Sequence, residues 1–198
     1  MEKDLINLVK SEMPNDYCKM ICAMMKKEDS EWVKEFLLTR LLVYSVAYDN
    51  YKLVDTIYKE SMKSNVLGIK DRINILYLYY LEKCGKQDEK LKQEVLTSYN
   101  ELDLTKEFQS LESIDYDRRE IINNYRKHED FVIETFLGLL HRCEIIMNCI
   151  RYKFLIDNFD IEENSKIDRL LNWNIFLIKK YNTVKDKNYI QKYEDELV

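Results

Sequence analysis

Apolar residues recur along this chain every three or four positions, the period of a helix that buries one face. The first such run covers Glu2 to Glu12 and stops before Pro14, whose ring cannot continue a helix. Asn15 or Asp16 stands where a cap is needed for a second helix, with Tyr17, Met20, Ile21 and Met24 facing inward. Ser30 opens a third, predicted from Glu31 to about Ala47. Its apolar residues, among them Trp32, Val33, Phe36, Leu37, Leu38, Leu41, Leu42, Val43 and Val46, occupy most of the circumference. A helix of that kind is expected at the centre of the fold, covered on several sides. Asp49 or Asn50 caps a fourth, in which Leu53, Val54, Ile57, Tyr58 and Met62 keep helical spacing.

Ser64 to Gly68 reads as a loop. A fifth helix from Ile69 to Cys84 is again apolar nearly all round, and Gly85 suits the left-handed position after its end. A sixth is predicted from about Gln87 to Leu102, then a short segment from Thr105 to Leu111 and a connector from Glu112 to Tyr116. Asp117 begins another helix reaching about Leu140, and helical sequence continues to Tyr181. Gly138 and the stretch Asp157 to Ser165 are the expected weak points. The charged segment 182–198 is expected to fray. The pattern predicts an all-α fold of stacked antiparallel helical hairpins in a single domain, residues 1–181. The hairpins have the size of tetratricopeptide units. Setting Trp32 at that repeat's Trp puts Glu35, Phe36 and Thr39 where its consensus has other types, so helix pairs are expected, not true repeats.

Composition narrows the picture. The 198 residues include three glycines and one proline, where average usage gives roughly 14 and 10. Sheets and tight turns draw on those residues, so helices are the default. Hydrophobic residues make up 46%, enough for a core that hides ~70% of the unfolded surface. No apolar run approaches a membrane span, and the charged N-terminal stretch MEKDLINLVKSEM lacks a signal core. A cytoplasmic location with reduced thiols is expected for the five cysteines, which include no CxxC pair.

Signals for chemistry are sparse. There is no P-loop and no GxSxG. Cys18 and Cys22 share one helix turn, but a zinc site needs two further ligands nearby, so no metal and no other cofactor is expected. Glu134, His141 and Glu144 are the one set faintly reminiscent of a catalytic cluster, and no enzyme activity is expected from it. The net charge of -5 and the pI near 5.3 speak against nucleic acid. Tyr77, Tyr79 and Tyr80 sit in an apolar helix and are expected to pack between hairpins.

The sign of the charge reverses locally between Asp117 and Asp130, DRREIINNYRKHED. At about 100° per residue, Arg119 and Arg126 nearly eclipse, with Asn123 between them. Arg118 and Lys127 flank the stripe, while Ile122, Tyr125 and Val132 lie on the other side. Four cations within ten residues of an acidic chain form a candidate docking ridge for an acidic surface. Tyr116 and Tyr125 are candidate anchors beside it.

The stretch RREIINNYR resembles the central segment of the alpha-four family of type 2A phosphatase-associated proteins, whose yeast member acts in TOR signalling. IRYKFLIDNF (Ile150 to Phe159) is similar to that family's Arg-Glu-aromatic-aromatic-Leu-Leu helix. Ile167, Leu170, Ile175 and Ile178 continue at its spacing toward KKY, and INILYLYYLEKC (Ile73 to Cys84) is similar to its apolar hairpin helix. The likeness spans roughly Trp32 to Tyr181. It implies a helical-repeat-like domain that captures a type 2A, 4 or 6 catalytic subunit in a latent state and protects it. The family's contacting Arg falls on Arg118. Its Lys falls on Ile121, so Arg119 or Arg126 would supply the second positive charge.

The function expected is therefore a non-catalytic, monomeric binding protein for such a phosphatase. The alternative is a generic helical adaptor, or a viral helical-bundle decoy, that holds a partner helix in an apolar groove.

Overall fold

With almost no glycine or proline to interrupt it, the backbone satisfies its own hydrogen bonds in helices. A computed structural model describes residues 2–13, 15–63, 70–99, 136–159 and 165–183. They form α1 (Glu2–Glu12), α2 (Asp16–Lys27), α3 (Glu31–Ala47), α4 (Tyr51–Ser61), α5 (Lys70–Lys83), α6 (Glu89–Ser98), α7 (Phe136–Asn158) and α8 (Ser165–Thr183), with no strand among the described residues. The fold is all-α.

Consecutive helices pack on one another from α1 through α6, and α7 packs on α8. Short connectors return the chain, which makes neighbours antiparallel. Helix α3 lies at the centre, touching α2, α4, α5, α7 and α8. It buries Glu35 and every residue from Leu37 to Ala47. Helix α7 closes the other side of the core through Cys143, Ile146, Cys149 and Leu155, each fully buried. All five cysteines are free thiols, and all but Cys84 are buried.

Several local expectations need correction. Trp32 is 58% exposed, and Met20 and Met24 are exposed as well. On α2 the buried arc runs through Tyr17, Cys18, Ile21, Cys22 and Met25. The two small thiols take the positions nearest the core and turn Met20 and Met24 outward. Asn15 caps α2, its Oδ1 accepting from the Cys18 N–H at 2.9 Å. Asn50 precedes α4 without a side-chain cap bond. Its Nδ2 instead donates to the Glu12 carbonyl at 3.4 Å, tying α4 to the end of α1. Ser30 likewise makes no side-chain cap for α3. Gly138 does not interrupt α7. Helix α6 ends at Ser98, where Tyr99 turns to extended backbone. Helix α7 ends at Asn158, inside the predicted weak stretch.

Candidate functional site

Helix α5 ends in a Schellman cap. The Gly85 N–H donates to Glu82 O and the Lys86 N–H to Leu81 O, both at 2.9 Å. Gly85 has φ 68°, the left-handed conformation that costs glycine least. Three residues later Asp88 starts α6, its Oδ1 accepting from the Leu91 N–H at 3.0 Å. Helix α6 has ten residues and buries only Val95. So short and polar a helix cannot cover the apolar side of α5 presented to it. An open groove of about 280 Å³ remains between α5, α6 and α7.

Ile75, Leu78 and Leu81 from α5 and Ile150 and Phe154 from α7 form its apolar floor, with Tyr79 beside them. Glu82, Lys86, Asp88, Glu89, Lys92, Lys153 and Asp157 form a charged rim. Lys153 Nζ stands 3.6 Å from Asp157 and 3.8 Å from Asp168 on α8. Burial lowers the Lys153 ammonium, but Asp157, Asp168 and Glu82 together hold it above the usual lysine value. Burial, helped by nearby Glu82, pushes the Tyr79 hydroxyl up to about 12. Tyr79 therefore stays a neutral donor at physiological pH. An apolar floor inside a charged rim is suited to gripping apolar side chains while orienting their charged neighbours.

Two other polar clusters serve packing. Between α4 and α5, the Tyr77 hydroxyl donates to Asp55 Oδ1 at 2.9 Å and the Tyr80 hydroxyl to Oδ2 at 3.4 Å. The Tyr58 and Tyr77 rings stack at 3.7 Å with only 4° between their planes. Tyr77 and Tyr80 thus do pack between hairpins, whereas Tyr79 lies in the groove instead. Deeper, the Tyr17 hydroxyl meets Cys143 Sγ at 3.4 Å, joining α2 to α7. Burial pushes the Cys143 thiol up to about 11, so it is protonated and a poor nucleophile. Arg40 bridges α3 to Glu144 of α7, and its guanidinium lies 3.9 Å over the Phe36 ring.

The sequence-derived site residues Tyr116, Arg118, Arg119, Asn123, Tyr125, Arg126 and Lys127 all lie outside the described residues. So does Glu134. His141 is exposed on α7 and Glu144 is engaged by Arg40. No group of three or more His, Cys, Asp or Glu among the described residues could hold a metal ion, and none of their helices is long and apolar enough to cross a membrane. Sequence reasoning missed the groove. Its signal was the mismatch between α5, apolar nearly all round, and the polar segment EKLKQEVLTS that follows it. No family model, curated protein or solved structure matches this chain.

Proposed function

We propose that this chain is a non-catalytic protein-binding module that holds a segment of a partner protein in the groove between α5, α6 and α7. The observation that supports this reading is the groove itself, with Leu78, Leu81 and Phe154 half-buried along its apolar floor. A partner seated there removes that surface from water at about 25 cal/mol per Å². It also stabilises whichever partner conformation fits, by RT ln(1 + [L]/Kd).

The partner to try first is the one the sequence resemblance implies, a type 2A, 4 or 6 phosphatase catalytic subunit, captured in a latent state in TOR-type signalling. In that reading the basic stretch from Arg118 to Lys127 supplies a second contact, to acidic residues of the phosphatase. Titration of a purified catalytic subunit tests both parts. Leu78→Asp is expected to weaken binding through the groove. Arg119→Glu with Arg126→Glu is expected to weaken it more than tenfold, or ~1.4 kcal/mol, with unchanged helical content. If folded variants of both kinds bind like the parent chain, both contacts are excluded. If the phosphatase does not bind at all while another protein is captured and lost on Leu78→Asp, the adaptor reading stands with a different partner.

A further inference from the structure

We infer that the tyrosines between α4 and α5 form a one-electron relay that carries oxidation from Tyr58 through the buried Tyr80 to the Cys84 thiol. The rings follow one another without a gap. Tyr58 and Tyr77 stack with centroids 3.7 Å apart, Tyr77 and Tyr80 are 5.5 Å apart, and Tyr80 and Tyr51 are 5.4 Å apart. Tyr58 and Tyr77 are half-buried at one end and Tyr51 at the other, whereas Tyr80 between them is 3% exposed. Cys84 follows Tyr80 by one helical turn, where residues four apart share a face, and its thiol adjoins the Tyr80 hydroxyl. Of the five cysteines it alone is not buried. The groove and its partner play no part in this arrangement.

A phenol gives up an electron readily when its proton leaves with it, which needs an acceptor within hydrogen-bond reach. Asp55 serves two rungs, accepting from Tyr77 at 2.9 Å and from Tyr80 at 3.4 Å, one on each carboxylate oxygen. A one-electron oxidant in solution, such as the carbonate radical, draws an electron from the Tyr58–Tyr77 stack. Tyr77 passes its proton to Asp55, which leaves a neutral tyrosyl radical beside a protonated carboxyl. Tyr80 then gives an electron to Tyr77 and its proton to Asp55, while Asp55 returns a proton to Tyr77. Finally the Cys84 S–H bond breaks, its hydrogen atom restores the Tyr80 hydroxyl, and a thiyl radical remains. Asp55 releases the extra proton to water. The oxidant has gained one electron, water one proton, and Cys84 has lost one hydrogen atom. A small thiol can return that atom, so the oxidation ends on a repairable sulfur and not on a ring.

The test exposes the full chain to photogenerated carbonate radical with a nitrone spin trap and locates the adducts by peptide mass spectrometry. The parent chain is expected to carry the adduct chiefly on Cys84. Tyr80→Phe keeps the ring and removes the hydroxyl. It is expected to cut the Cys84 adduct several-fold and raise that on Tyr58 and Tyr77, with circular dichroism and iodoacetamide labelling of Cys84 unchanged. Asp55→Asn, which removes the proton acceptor, is expected to act in the same direction. A Cys84 adduct undiminished in both folded variants means that the oxidant reaches the thiol directly, and overturns the relay. Adducts confined to tyrosines in the parent chain overturn it as well. If Tyr80→Phe does not fold, Asp55→Asn alone decides.

Discussion

Helices α3 and α5 both carry apolar residues around most of their circumference. Yet α3 buries Glu35 and all of Leu37 to Ala47, whereas α5 buries only Ile73, Ile75, Leu76 and Tyr80. Their neighbours account for the difference. Helix α3 is wrapped by α2, α4, α5, α7 and α8, while among the described residues one side of α5 meets the short polar α6 and part of α7. Equal hydrophobicity gives a core in one place and an open floor in the other, according to what the rest of the chain brings against it.

The two helices also end alike and for different reasons. Each closes with a Schellman cap, with the Asn50 N–H donating to Ser45 O at 2.9 Å after α3 and the Lys86 N–H to Leu81 O after α5. The left-handed residue is Gly85 at φ 68° in α5 but Asp49 at φ 61° in α3. A side chain at Gly85 would meet nothing within 4 Å, so the glycine serves the backbone conformation alone. Asp49 is used: its carboxylate lies 2.5 Å from Lys179 Nζ of α8 and accepts from the Tyr51 hydroxyl at 3.3 Å. The α3 corner is tied to the last helix, and the α5 corner forms the groove rim.

Truncation gives the largest expected contrast between the two helices. Leu41→Ala in α3 should cost about 2–5 kcal/mol in urea unfolding, the range for a buried leucine. Leu78→Ala in α5 should cost under about 1 kcal/mol, because its side chain keeps water contact and leaves no closed cavity. Equal losses would mean that the groove is closed in solution.

The corners give a smaller effect. Gly85→Ala should destabilise by about 1–2 kcal/mol through the left-handed backbone alone. Asp49→Gly should stay within about 0.5 kcal/mol of the parent chain, since backbone relief offsets an exposed ion pair worth ~0.2–1 kcal/mol. A loss above about 2 kcal/mol for Asp49→Gly would show that the tie to Lys179 dominates that corner.

The smallest effect at neutral pH, visible only in alkali, concerns the tyrosine clasp that joins α5 to α4. Burial, with the Asp55 carboxylate adding to it, pushes the Tyr80 hydroxyl up to about 12, and Tyr77 is raised as well. The folded state therefore holds these protons more tightly than the unfolded chain. Their stabilisation is complete below the ordinary tyrosine value near ~10 and is lost as pH rises from there toward the folded value. Urea midpoints at pH 8 and 11 should fall more for the parent chain than for Tyr77→Phe with Tyr80→Phe. Parallel falls would remove the clasp from the account.

Much of the architecture was legible in advance. The span of α3 agrees with its apolar run, Asn15 caps α2, and Gly85 stands in the left-handed position after α5. What could be read were local properties: backbone propensity, capping chemistry and the scarcity of glycine and proline. Trp32, Met20 and Met24 were misread because periodicity shows that a face is apolar and not whether another helix arrives to cover it. The groove escaped notice for the converse reason. Nothing in α5 alone reveals that α6 ends at Ser98 with one buried residue, nor that Phe154 and Lys153 of α7 come alongside.

By itself the sequence determined an all-helical chain, the start and stop of most of its described helices, and a core rich in leucine, isoleucine and tyrosine, because these follow from interactions within a few residues. Only the tertiary structure decided which apolar face stays open and which carboxylates share Lys153. Both depend on residues far apart in the chain meeting across helices, and no local pattern encodes that distance.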